Sequence, residues 1–523
     1  MTEQNPNFAT LADLIRHHAR TRPSRVALVF DGGILTYGEL DRRANQVANA
    51  LSAEGVTAKS RIAILAKNDP AFFELLFGAA KIGAVPVPVN FRLAPPEVAY
   101  VLNDAGAELF FVGGDFYGVA DQIANELKTV RRTLAIDQPH AAMGDYAAWR
   151  DAAPADDPSL PLAAEDVAMQ MYTSGTTGYP KGAQLSHHNF MALLPLVVEQ
   201  WGAWSDDDIS LVCMPLFHIG GSGWALVGLY KGIPNVLMRD VDPKALLDLI
   251  PRHRVTRMFV VPAVILFMLQ VPGCAEADFS SLELICYGAS PMPLELLRKA
   301  LAVFPCGFAQ VYGLTETTGA ITYLPPEDHA DPQAERLKSC GKPAAEIEIR
   351  IRGAEGEDLP PRAVGEVVCR TPQVMVGYWN LPEASARAIR DGWFHTGDAG
   401  YLDEEGYLYI YDRVKDMVVS GGENIYPAEV ENALFAHPAV ADAAVIGVPD
   451  ERWGEAVKAV VVLKPDAAAT ADELIAFARQ RIAGFKAPRS VDFVVALPRN
   501  PSGKVLKREL REPYWIGRER QVN

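Results

Sequence analysis

The sequence predicts an α/β protein in which a large N-terminal domain is followed by a small α+β C-terminal domain. The chain has 523 residues, more than one compact core usually holds, so two or more folding units are expected. Short apolar runs alternate with amphipathic stretches over most of the chain, which is typical of parallel strands covered by helices. Near Tyr411 this alternation ends in a charged segment followed by shorter strands.

Within the large domain, several elements can be predicted directly from the residue pattern. The spacing of apolar residues from Pro70 to Ile82 predicts a helix, and a second helix is expected to begin near Pro293. Four mostly apolar runs have the length of buried strands: residues 61–66, 109–112, 258–261 and 282–287.

The small domain is predicted to begin at a charged pentad, residues 412–416, which reads Asp-Arg-Val-Lys-Asp. Strands are expected over residues 444–448 and 459–463, and Thr470 with Glu473 forms the pattern of a helix capping box. We place the boundary at Lys415, which gives domains of residues 1–414 and 415–523.

Charge and cysteine content narrow the class of protein. The 49 Lys and Arg against 65 Asp and Glu give a net charge of -16, which disfavours nucleic acid and anionic lipid as partners. No two of the six cysteines are closer than 12 positions, so neither a zinc site nor a small disulfide framework is expected. The polar N-terminus lacks the apolar core of a signal peptide. These features indicate a cytoplasmic protein with reduced thiols.

One uncharged stretch, residues 209–230, is long enough to span a bilayer. It contains Pro215, His218 and four glycines, which are poorly suited to a spanning helix. We therefore interpret its first half as a buried strand that runs into a loop, and we expect no transmembrane segment. Peripheral contact with a membrane stays open.

The most informative segment, residues 172–182, reads Tyr-Thr-Ser-Gly-Thr-Thr-Gly-Tyr-Pro-Lys-Gly. Glycines allow backbone amides to turn towards an anion, hydroxyls donate further hydrogen bonds, and a lysine adds positive charge. The segment is not a Walker A loop, because that motif requires glycine where Pro180 stands and Ser or Thr where Gly182 stands. The pattern predicts a phosphate-binding loop.

This loop resembles that of the adenylate-forming superfamily, which comprises acyl-CoA synthetases, peptide-synthetase adenylation domains and beetle luciferases. Four further segments match motifs of the family in the same order: residues 312–316 (Tyr-Gly-Leu-Thr-Glu), 396–398 (Thr-Gly-Asp), 412–416 and 500–504 (Asn-Pro-Ser-Gly-Lys). The medium- and long-chain fatty acyl-CoA synthetases are the most similar group. The resemblance implies a large domain of stacked α/β subdomains with a β-barrel portion, and a mobile C-terminal domain.

The resemblance also implies two half-reactions that use ATP, Mg²⁺ and coenzyme A. A carboxylate first attacks the α-phosphate of ATP, and the CoA thiol then displaces AMP from the acyl-adenylate. Lys504 would bridge the carboxylate and the α-phosphate, Glu316 would bind Mg²⁺, and Thr315 would donate to the α-phosphate. Around Lys504, residues 484–512 hold seven basic and three acidic side chains, which indicates either an anion-facing surface or a solvated run of charges.

Further nucleotide contacts follow from the same resemblance. The β- and γ-phosphates would be held by the loop residues Thr173, Ser174, Gly175, Thr176, Thr177, Gly178 and Lys181. The adenine would stack on Tyr312 and pass the backbone of Gly288, Ala289 and Ser290. Asp398 would accept both ribose hydroxyls, and Arg413 would contact the ribose or the α-phosphate.

Movement of the small domain is implied to separate the two half-reactions. Lys415 occupies the hinge position of the family, where a few residues can swing a whole domain. After rotation the small domain would present a second face to the thiol, and the pantetheine arm would pass close to the backbone of Gly421, Gly422 and Glu423.

The acid is expected to occupy an apolar pocket. Enzymes of this family that activate α-amino acids usually carry Asp where His218 stands, so an amino acid is disfavoured. His218 would lie near the carboxylate or the thiol path, or else pack in the core. Gly313 and Gly319 would line the side opposite to Trp224, which is a candidate gate. Many glycines and no paired charge indicate a roomy apolar cavity for a fatty chain or an aryl-alkanoic acid.

We therefore predict an AMP-forming acid:CoA ligase that acts on a fatty or other hydrophobic acid. The alternatives are an aryl or aryl-alkanoic acid:CoA ligase, and a stand-alone enzyme that loads a carrier protein. A luciferase-like oxygenase is a further rival, whereas Lys504, Glu316 and Asp398 together argue against a non-catalytic relative. The sequence leaves open whether the chain forms a homodimer.

Overall fold

The computed structural model describes residues 8–173, 180–413, 416–420, 423–450, 453–482, 484–499 and 505–516. Its α-helices are α1 (Leu11–Thr21), α2 (Tyr37–Ala53), α3 (Pro70–Ile82), α4 (Pro95–Ala105), α5 (Tyr117–Ile123), α6 (Tyr146–Asp151), α7 (His187–Gln200), α8 (Ile219–Lys231), α9 (Pro243–His253), α10 (Pro262–Gln270), α11 (Leu294–Val303), α12 (Pro382–Ala388), α13 (Pro427–Phe435), α14 (Ala471–Arg479) and α15 (Lys507–Trp515).

The strands of the first two thirds of the chain are β1 (Val26–Phe30), β2 (Gly33–Thr36), β3 (Arg61–Leu65), β4 (Val85–Pro88), β5 (Ala107–Val112), β6 (Arg132–Ala135), β7 (Gly144–Asp145), β8 (Val167–Thr173), β9 (Lys181–Ser186), β10 (Ser210–Val212), β11 (Asn235–Leu237), β12 (Arg257–Val260), β13 (Leu284–Gly288), β14 (Gly307–Leu314), β15 (Gly319–Leu324) and β16 (Lys342–Pro343). The remaining strands are β17 (Glu348–Arg352), β18 (Gly365–Arg370), β19 (Gly377–Tyr378), β20 (Ile389–Arg390), β21 (Trp393–Leu402), β22 (Leu408–Arg413), β23 (Val418–Ser420), β24 (Glu423–Ile425), β25 (Val440–Asp450), β26 (Gly454–Leu463) and β27 (Ser490–Phe493).

Two parallel sheets form the body of the large domain. The larger sheet has the order β16-β15-β14-β13-β12-β10-β11-β1-β2, in which the six strands from β14 to β1 are parallel and the outer strands antiparallel. The smaller sheet, β4-β3-β5-β6-β7, is parallel throughout. Parallel sheets require cover on both faces, and helices supply it here, which agrees with the predicted α/β class.

Antiparallel strands form two further sheets of the large domain. One sheet has the order β19-β9-β8, and another has the order β17-β18-β21-β20, with β22 paired to β21. They matter for the site because β8, β9, β19 and β21 each carry side chains that meet at one cavity.

The small domain has its own sheet and its own core. Strands β24-β23-β26-β25 are antiparallel, and β27 joins them parallel to β26. Side chains from α13, α14 and these strands, among them Val418, Leu434 and Leu474, form a cluster separate from the core of the large domain. The two-domain α/β fold that the sequence predicts is therefore observed.

Most of the elements predicted from the residue pattern are present. Helix α3 has the predicted ends: Asp69 caps its start and Gly83, with a φ of 71°, ends it. The capping box of Thr470 and Glu473 opens α14. The strand expected over residues 282–287 instead begins at Leu284.

The uncharged stretch from residue 209 to 230 divides between two elements. Its first half forms β10 and the loop of residues 213–218, as expected, and its second half forms the buried helix α8. Among the described residues, no helix combines the length and the apolar character needed to cross a bilayer. All six cysteines are free, and four of them are buried.

Candidate active site

A cavity of about 1730 Å³ lies where the parallel strands of the large sheet end. Ligands of open parallel sheets bind beyond the carboxyl ends of the strands, and this cavity follows that rule. Its walls include residues just after β13 and at the end of β14, the start of α8, and a segment of the small domain around α15. Several predicted site residues line it: Thr173, Lys181, His218, Ala289, Gly313, Thr315 and Glu316.

The two ends of the predicted phosphate loop are fixed beside the cavity. Thr173 ends β8 and pairs with Lys181 at the start of β9. The hydroxyl of the preceding Tyr172 donates to Oδ2 of Asp104 at 2.6 Å, so the chain entering the loop is anchored. Ser174, Gly175, Thr176, Thr177 and Gly178 lie outside the described residues.

Glu316 stands in a tight turn after β14, and its carboxylate is already oriented. Its Oε1 accepts hydrogen bonds from the hydroxyl of Thr173 at 3.3 Å and from that of Tyr378 at 2.9 Å. The turn is held by Thr317, whose hydroxyl contacts Leu314 and Gly319. The structure therefore places Glu316 beside Thr173 at the start of the predicted phosphate loop, and nothing in the sequence spacing pointed to Tyr378.

The donor set around Glu316 suits Mg²⁺ better than a metal that needs a full protein cage. In the described ranges no group of three or more His, Cys, Asp or Glu side chains could hold a metal ion. Mg²⁺ typically takes one or two carboxylates and completes its shell with water and substrate phosphates. A single oriented carboxylate next to a phosphate loop fits that requirement.

Asp398 and Tyr312 form a pair next to the cavity. The hydroxyl of Tyr312 donates to Oδ2 of Asp398 at 2.7 Å, and Asp398 is 5% exposed. Its backbone N–H is held by the hydroxyl of Thr396 at 3.0 Å. Arg413 lies opposite Asp398 in the strand ladder, so the backbone places these two predicted ligands together.

The glycines of the site are required first of all by the packing of the backbone. A Cβ on Gly288 would stand 2.4 Å from the carbonyl oxygen of Val311, and one on Gly313 would stand 1.7 Å from that of Gly319. Ala289 follows with a φ of 65°, a conformation uncommon for residues other than glycine. Ser290 comes next in the chain, after β13 has ended. Strand packing by itself thus requires glycine at Gly288 and Gly313, and the close approach of a ligand stays a prediction.

His218 caps the start of α8 and faces the cavity. Its Nδ1 accepts a hydrogen bond from the backbone N–H of Gly220 at 3.3 Å. Burial lowers the pKa of His218 to about 4, so the ring is neutral at pH 7. Because Nδ1 is an acceptor, the ring proton resides on Nε2, and His218 can act towards a ligand as a hydrogen-bond donor.

An apolar arm of the cavity extends from His218 between α7 and α8. Leu193, Val197 and Trp201 lie four residues apart on one face of α7, and Gly220, Gly223, Trp224 and Val227 share a face of α8. From Leu193 to Trp201 the helix rises about 12 Å. The small residues near His218 leave the arm wide at its entrance.

The far end of this arm is built from aromatic rings. The rings of Trp201 and Trp224 lie 5.3 Å apart, and that of Phe259 is 6.3 Å from Trp224. The indole N–H of Trp224 donates to the carbonyl oxygen of Leu211 at 3.0 Å. All three residues are at least 95% buried, and together they form the far end of the arm. The role of Trp224 as a gate stays a prediction.

The small domain faces the cavity with the segment that flanks Lys504. Arg499, Val505 and Arg508 line the cavity, whereas Lys504 itself, the hinge residue Lys415, and Gly421 and Gly422 lie outside the described residues. Of Glu423 and Arg413 the structure describes only the backbone.

Most of the basic side chains around Lys504 form ion pairs within the small domain. Lys486 pairs with Glu429 at 2.8 Å and Lys507 with Glu431 at 3.0 Å. Arg499 pairs with Asp442, and Arg511 pairs with Asp416 at 2.7 Å. The run of positive charge in the sequence therefore overstates the positive surface that is available to an anion.

Comparisons with known proteins match both the large and the small domain of the chain. Residues 15–379 match the model of the AMP-binding enzyme family, and residues 429–504 match that of the AMP-binding enzyme C-terminal domain. The chain is 42% identical to a fatty acid–[acyl-carrier-protein] ligase of Streptomyces coeruleorubidus, covering 99% of both chains. It is also 42% identical to a feruloyl-CoA synthase of Amycolatopsis, covering 95% of this chain and 97% of that one.

A solved structure of an anthranilate CoA ligase in complex with anthranoyl-AMP superimposes on the chain with a TM-score of 0.91. The sequence identity is 27%, and the match covers 97% of this chain and 98% of that one. The similarity therefore extends over both domains.

Proposed function

The chain belongs to the AMP-binding enzyme family, and we propose that it acts as an AMP-forming acid:CoA ligase on a compact hydrophobic carboxylic acid. One observation carries the proposal. The oriented carboxylate of Glu316 accepts a hydrogen bond from Thr173 at the start of the phosphate loop, in a cavity that continues into an apolar arm. Such a cavity can hold a nucleoside triphosphate and an apolar acid side by side.

The first step would join the carboxylate of the acid to the α-phosphorus of ATP and release pyrophosphate. Both reactants are anions, so the step needs neutralisation of their negative charge more than it needs a base. Mg²⁺, when bound at Glu316, would supply charge neutralisation at the phosphate oxygens. Lys181 would hold the phosphates that leave, Thr315 would donate to the α-phosphate, and Lys504 would bring the two reacting groups together.

Asp398 and Tyr312 are proposed to hold the nucleoside. A carboxylate can accept hydrogen bonds from two ribose hydroxyls, and Tyr312 already uses its own hydroxyl to fix Asp398. The ring of Tyr312 would stack on the adenine. Ala289 would line the opposite side, since it already lines the cavity.

In the second step the CoA sulfur would attack the acyl carbonyl carbon, AMP would leave, and the thiol proton would pass to solvent. His218 would donate a hydrogen bond from Nε2 to an acyl oxygen, because its Nδ1 is taken by the backbone of Gly220. The pantetheine arm would pass the backbone of Gly421, Gly422 and Glu423. We propose that residues 415–523 swing about Lys415 between the two steps.

The acid is proposed to be short or aromatic rather than long and linear. The arm that would hold it is lined by Leu193, Val197 and Val227, so a charged tail would lose its hydration without a partner. It ends at the buried rings of Trp201 and Trp224, which limit the length of a straight chain that the arm can take. Aromatic walls pack well against aryl rings.

A second candidate function is the loading of a carrier protein. It is favoured by the 42% identity over the whole chain to a fatty acid–[acyl-carrier-protein] ligase. A carrier presents the same phosphopantetheine thiol as CoA, so the adenylation half-reaction would be unchanged. The two functions differ only in which thiol displaces AMP.

Two points about the molecule as a whole are untested: a cytoplasmic location, which stays a prediction, and the formation of a homodimer, which the sequence leaves open. Light scattering on the purified chain measures the mass in solution and decides the second one.

The proposed function is tested by following pyrophosphate, AMP and free CoA with a panel of acids. We expect pyrophosphate release to need both ATP and the acid, and CoA to be consumed in equal amount to the AMP formed. A stable acyl-adenylate with CoA untouched, discharged only when a carrier protein is added, would establish the carrier-loading function instead. No acid-dependent pyrophosphate with any acid would refute both.

A further inference from the structure

Tyr378 touches two predicted ligand-binding residues that are far apart in the chain. Its hydroxyl donates to Oε1 of Glu316 at 2.9 Å, and its ring centroid lies 5.0 Å from Nζ of Lys181. Within the described residues, Oε2 of Glu316 accepts no hydrogen bond, so this oxygen remains available to a ligand. One side chain thus fixes half of a carboxylate and supports a cation at the same time.

The backbone of Tyr378 is held as firmly as its side chain. Strand β19 pairs with β9, where Tyr378 lies opposite Ala183. The N–H of Tyr378 donates to the hydroxyl of Ser385 at 2.8 Å, and the N–H of Trp379 donates to the carbonyl oxygen of Gly182 at 2.8 Å. The strand that leaves the phosphate loop is therefore fastened to Tyr378 next to Lys181.

A third contact joins the segment around Tyr378 to the turn that contains Glu316. The backbone N–H of Met375 donates to the carbonyl oxygen of Glu316 at 2.8 Å. Residues 375–379 consequently contact both the backbone and the side chain of Glu316. They also pair with β9 through strand β19. This segment is the shared support of both groups.

We propose that Tyr378 is a positioning residue that couples the metal-binding carboxylate of Glu316 to the phosphate-binding lysine, Lys181. The inference rests on the proposed function insofar as Glu316 binds the metal. By holding Oε1, the hydroxyl directs Oε2 towards the metal. The electron-rich face of the ring attracts the Lys181 ammonium and holds it near the place where the phosphates bind, so that the lysine is positioned before the nucleotide arrives and while it is bound.

Two substitutions distinguish the contribution of the Tyr378 hydroxyl from that of its ring. Tyr378→Phe removes the hydroxyl and keeps the ring, whereas Tyr378→Leu removes both. Loss of a group that orients a metal ligand typically weakens metal binding 10- to 100-fold. Loss of an exposed or half-exposed cation–π contact is expected to weaken nucleotide binding about two- to fivefold.

Two binding measurements on the full chain test the proposal without any turnover. Mn²⁺ serves as a paramagnetic substitute for Mg²⁺ and is titrated by electron paramagnetic resonance in the presence of α,β-methylene-ATP. The same nucleotide is titrated by calorimetry in EDTA. For Tyr378→Phe we expect the Kd for Mn²⁺ to rise about tenfold with the metal-free nucleotide Kd unchanged. For Tyr378→Leu we expect both constants to rise.

A matched control exists elsewhere in the chain. Tyr146 donates to Oε2 of Glu74 at 2.8 Å, which is the same pairing outside the cavity. Tyr146→Phe should leave the Kd for Mn²⁺ unchanged, even if it lowers the melting temperature. A wild-type Kd for Mn²⁺ in Tyr378→Phe would overturn the proposal.

If Tyr378→Phe does not fold, the unaltered chain still answers the question. Mn²⁺ added to the complex with α,β-methylene-ATP should slow amide hydrogen exchange over residues 375–379, and unchanged exchange would overturn the proposal. Since neither acid nor CoA is present, a chain without ligase activity would still give a result on Tyr378. Failure to bind the nucleotide at all would refute the proposed function and this inference together.

Discussion

The hydroxyl of Tyr312 donates a 2.7 Å hydrogen bond to Oδ2 of Asp398, although the two residues are 86 positions apart. Tyr312 belongs to the parallel sheet, at the end of β14, and Asp398 belongs to the antiparallel strand β21. The bond joins the two sheets at the cavity. It also means that the carboxylate is fixed before a ribose arrives, which saves the entropy of ordering it on binding.

Tyr312→Phe should raise the KM for ATP about fivefold to tenfold, because a hydrogen bond to a charged group is lost while the ring is retained. Tyr312→Leu should raise it further, since the stacking surface is lost as well. The measurement is acid-dependent pyrophosphate release at varied ATP. Equal effects of the two substitutions would mean that the ring does not stack on the adenine.

Lys504→Ala should reduce acid-dependent pyrophosphate release by at least about 100-fold, because the positive charge that bridges the two anions is lost. Binding of ATP, measured by calorimetry, should change little, since the phosphate loop and Asp398 are intact. The control is Lys486→Ala, whose ammonium is engaged by Glu429 and should not matter for the rate. Normal pyrophosphate release in Lys504→Ala would contradict the proposed role.

Trp201→Ala should shift the preference of the enzyme towards longer acids, because the end wall of the apolar arm is removed. The same substitution should lower the free energy of unfolding by about 3–5 kcal/mol, the usual cost of deleting a buried Trp. The measurement is the ratio of kcat/KM for palmitate to that for 3-phenylpropanoate.

Trp149→Ala provides the comparison, because this indole lies outside the cavity and donates to Glu54. It should leave the ratio of the two acids unchanged. A ratio that stays at the wild-type value in Trp201→Ala would show that the acid does not reach this wall.

The pH–rate profile of the reaction should show no inflection near pH 6.5 that is due to His218. Burial lowers the pKa of His218 to about 4, so the ring is uncharged from pH 5.5 to 8. His218→Gln should therefore lower kcat for CoA ester formation by a similar factor at every pH in this range. Loss of an inflection near pH 6.5 in this variant would instead identify His218 as a base.

The lowered pKa of His218 also predicts the direction of an effect on stability. Between pH 6.5 and 4 the unfolded chain binds a proton that the folded ring excludes, so the free energy of unfolding falls as the pH falls through this window. Above pH 6.5 both states are neutral and the effect is absent. Urea unfolding of wild type and His218→Gln should show a shallower decrease in the variant.

Local sequence determined a large part of this protein. Helix α3 has its predicted ends because Asp69 and Gly83 supply a cap and a left-handed stop within the segment itself. The phosphate-loop pattern and the motif around Glu316 were recognisable because their residues are contiguous. The α/β class followed from the alternation of apolar runs, which depends only on neighbouring residues.

Only the tertiary structure decided which distant side chains meet. Tyr378 lies 62 residues from Glu316, and no periodicity links β19 to the turn after β14. The basic run near Lys504 has the pattern of an anion-binding surface, but Glu429, Glu431, Asp442 and Asp416 neutralise most of its charge. Likewise, the aromatic end of the acid pocket depends on α7 and α8 packing side by side. Contacts of this kind are set by the three-dimensional packing of sheets and helices, and a linear pattern carries little information about them.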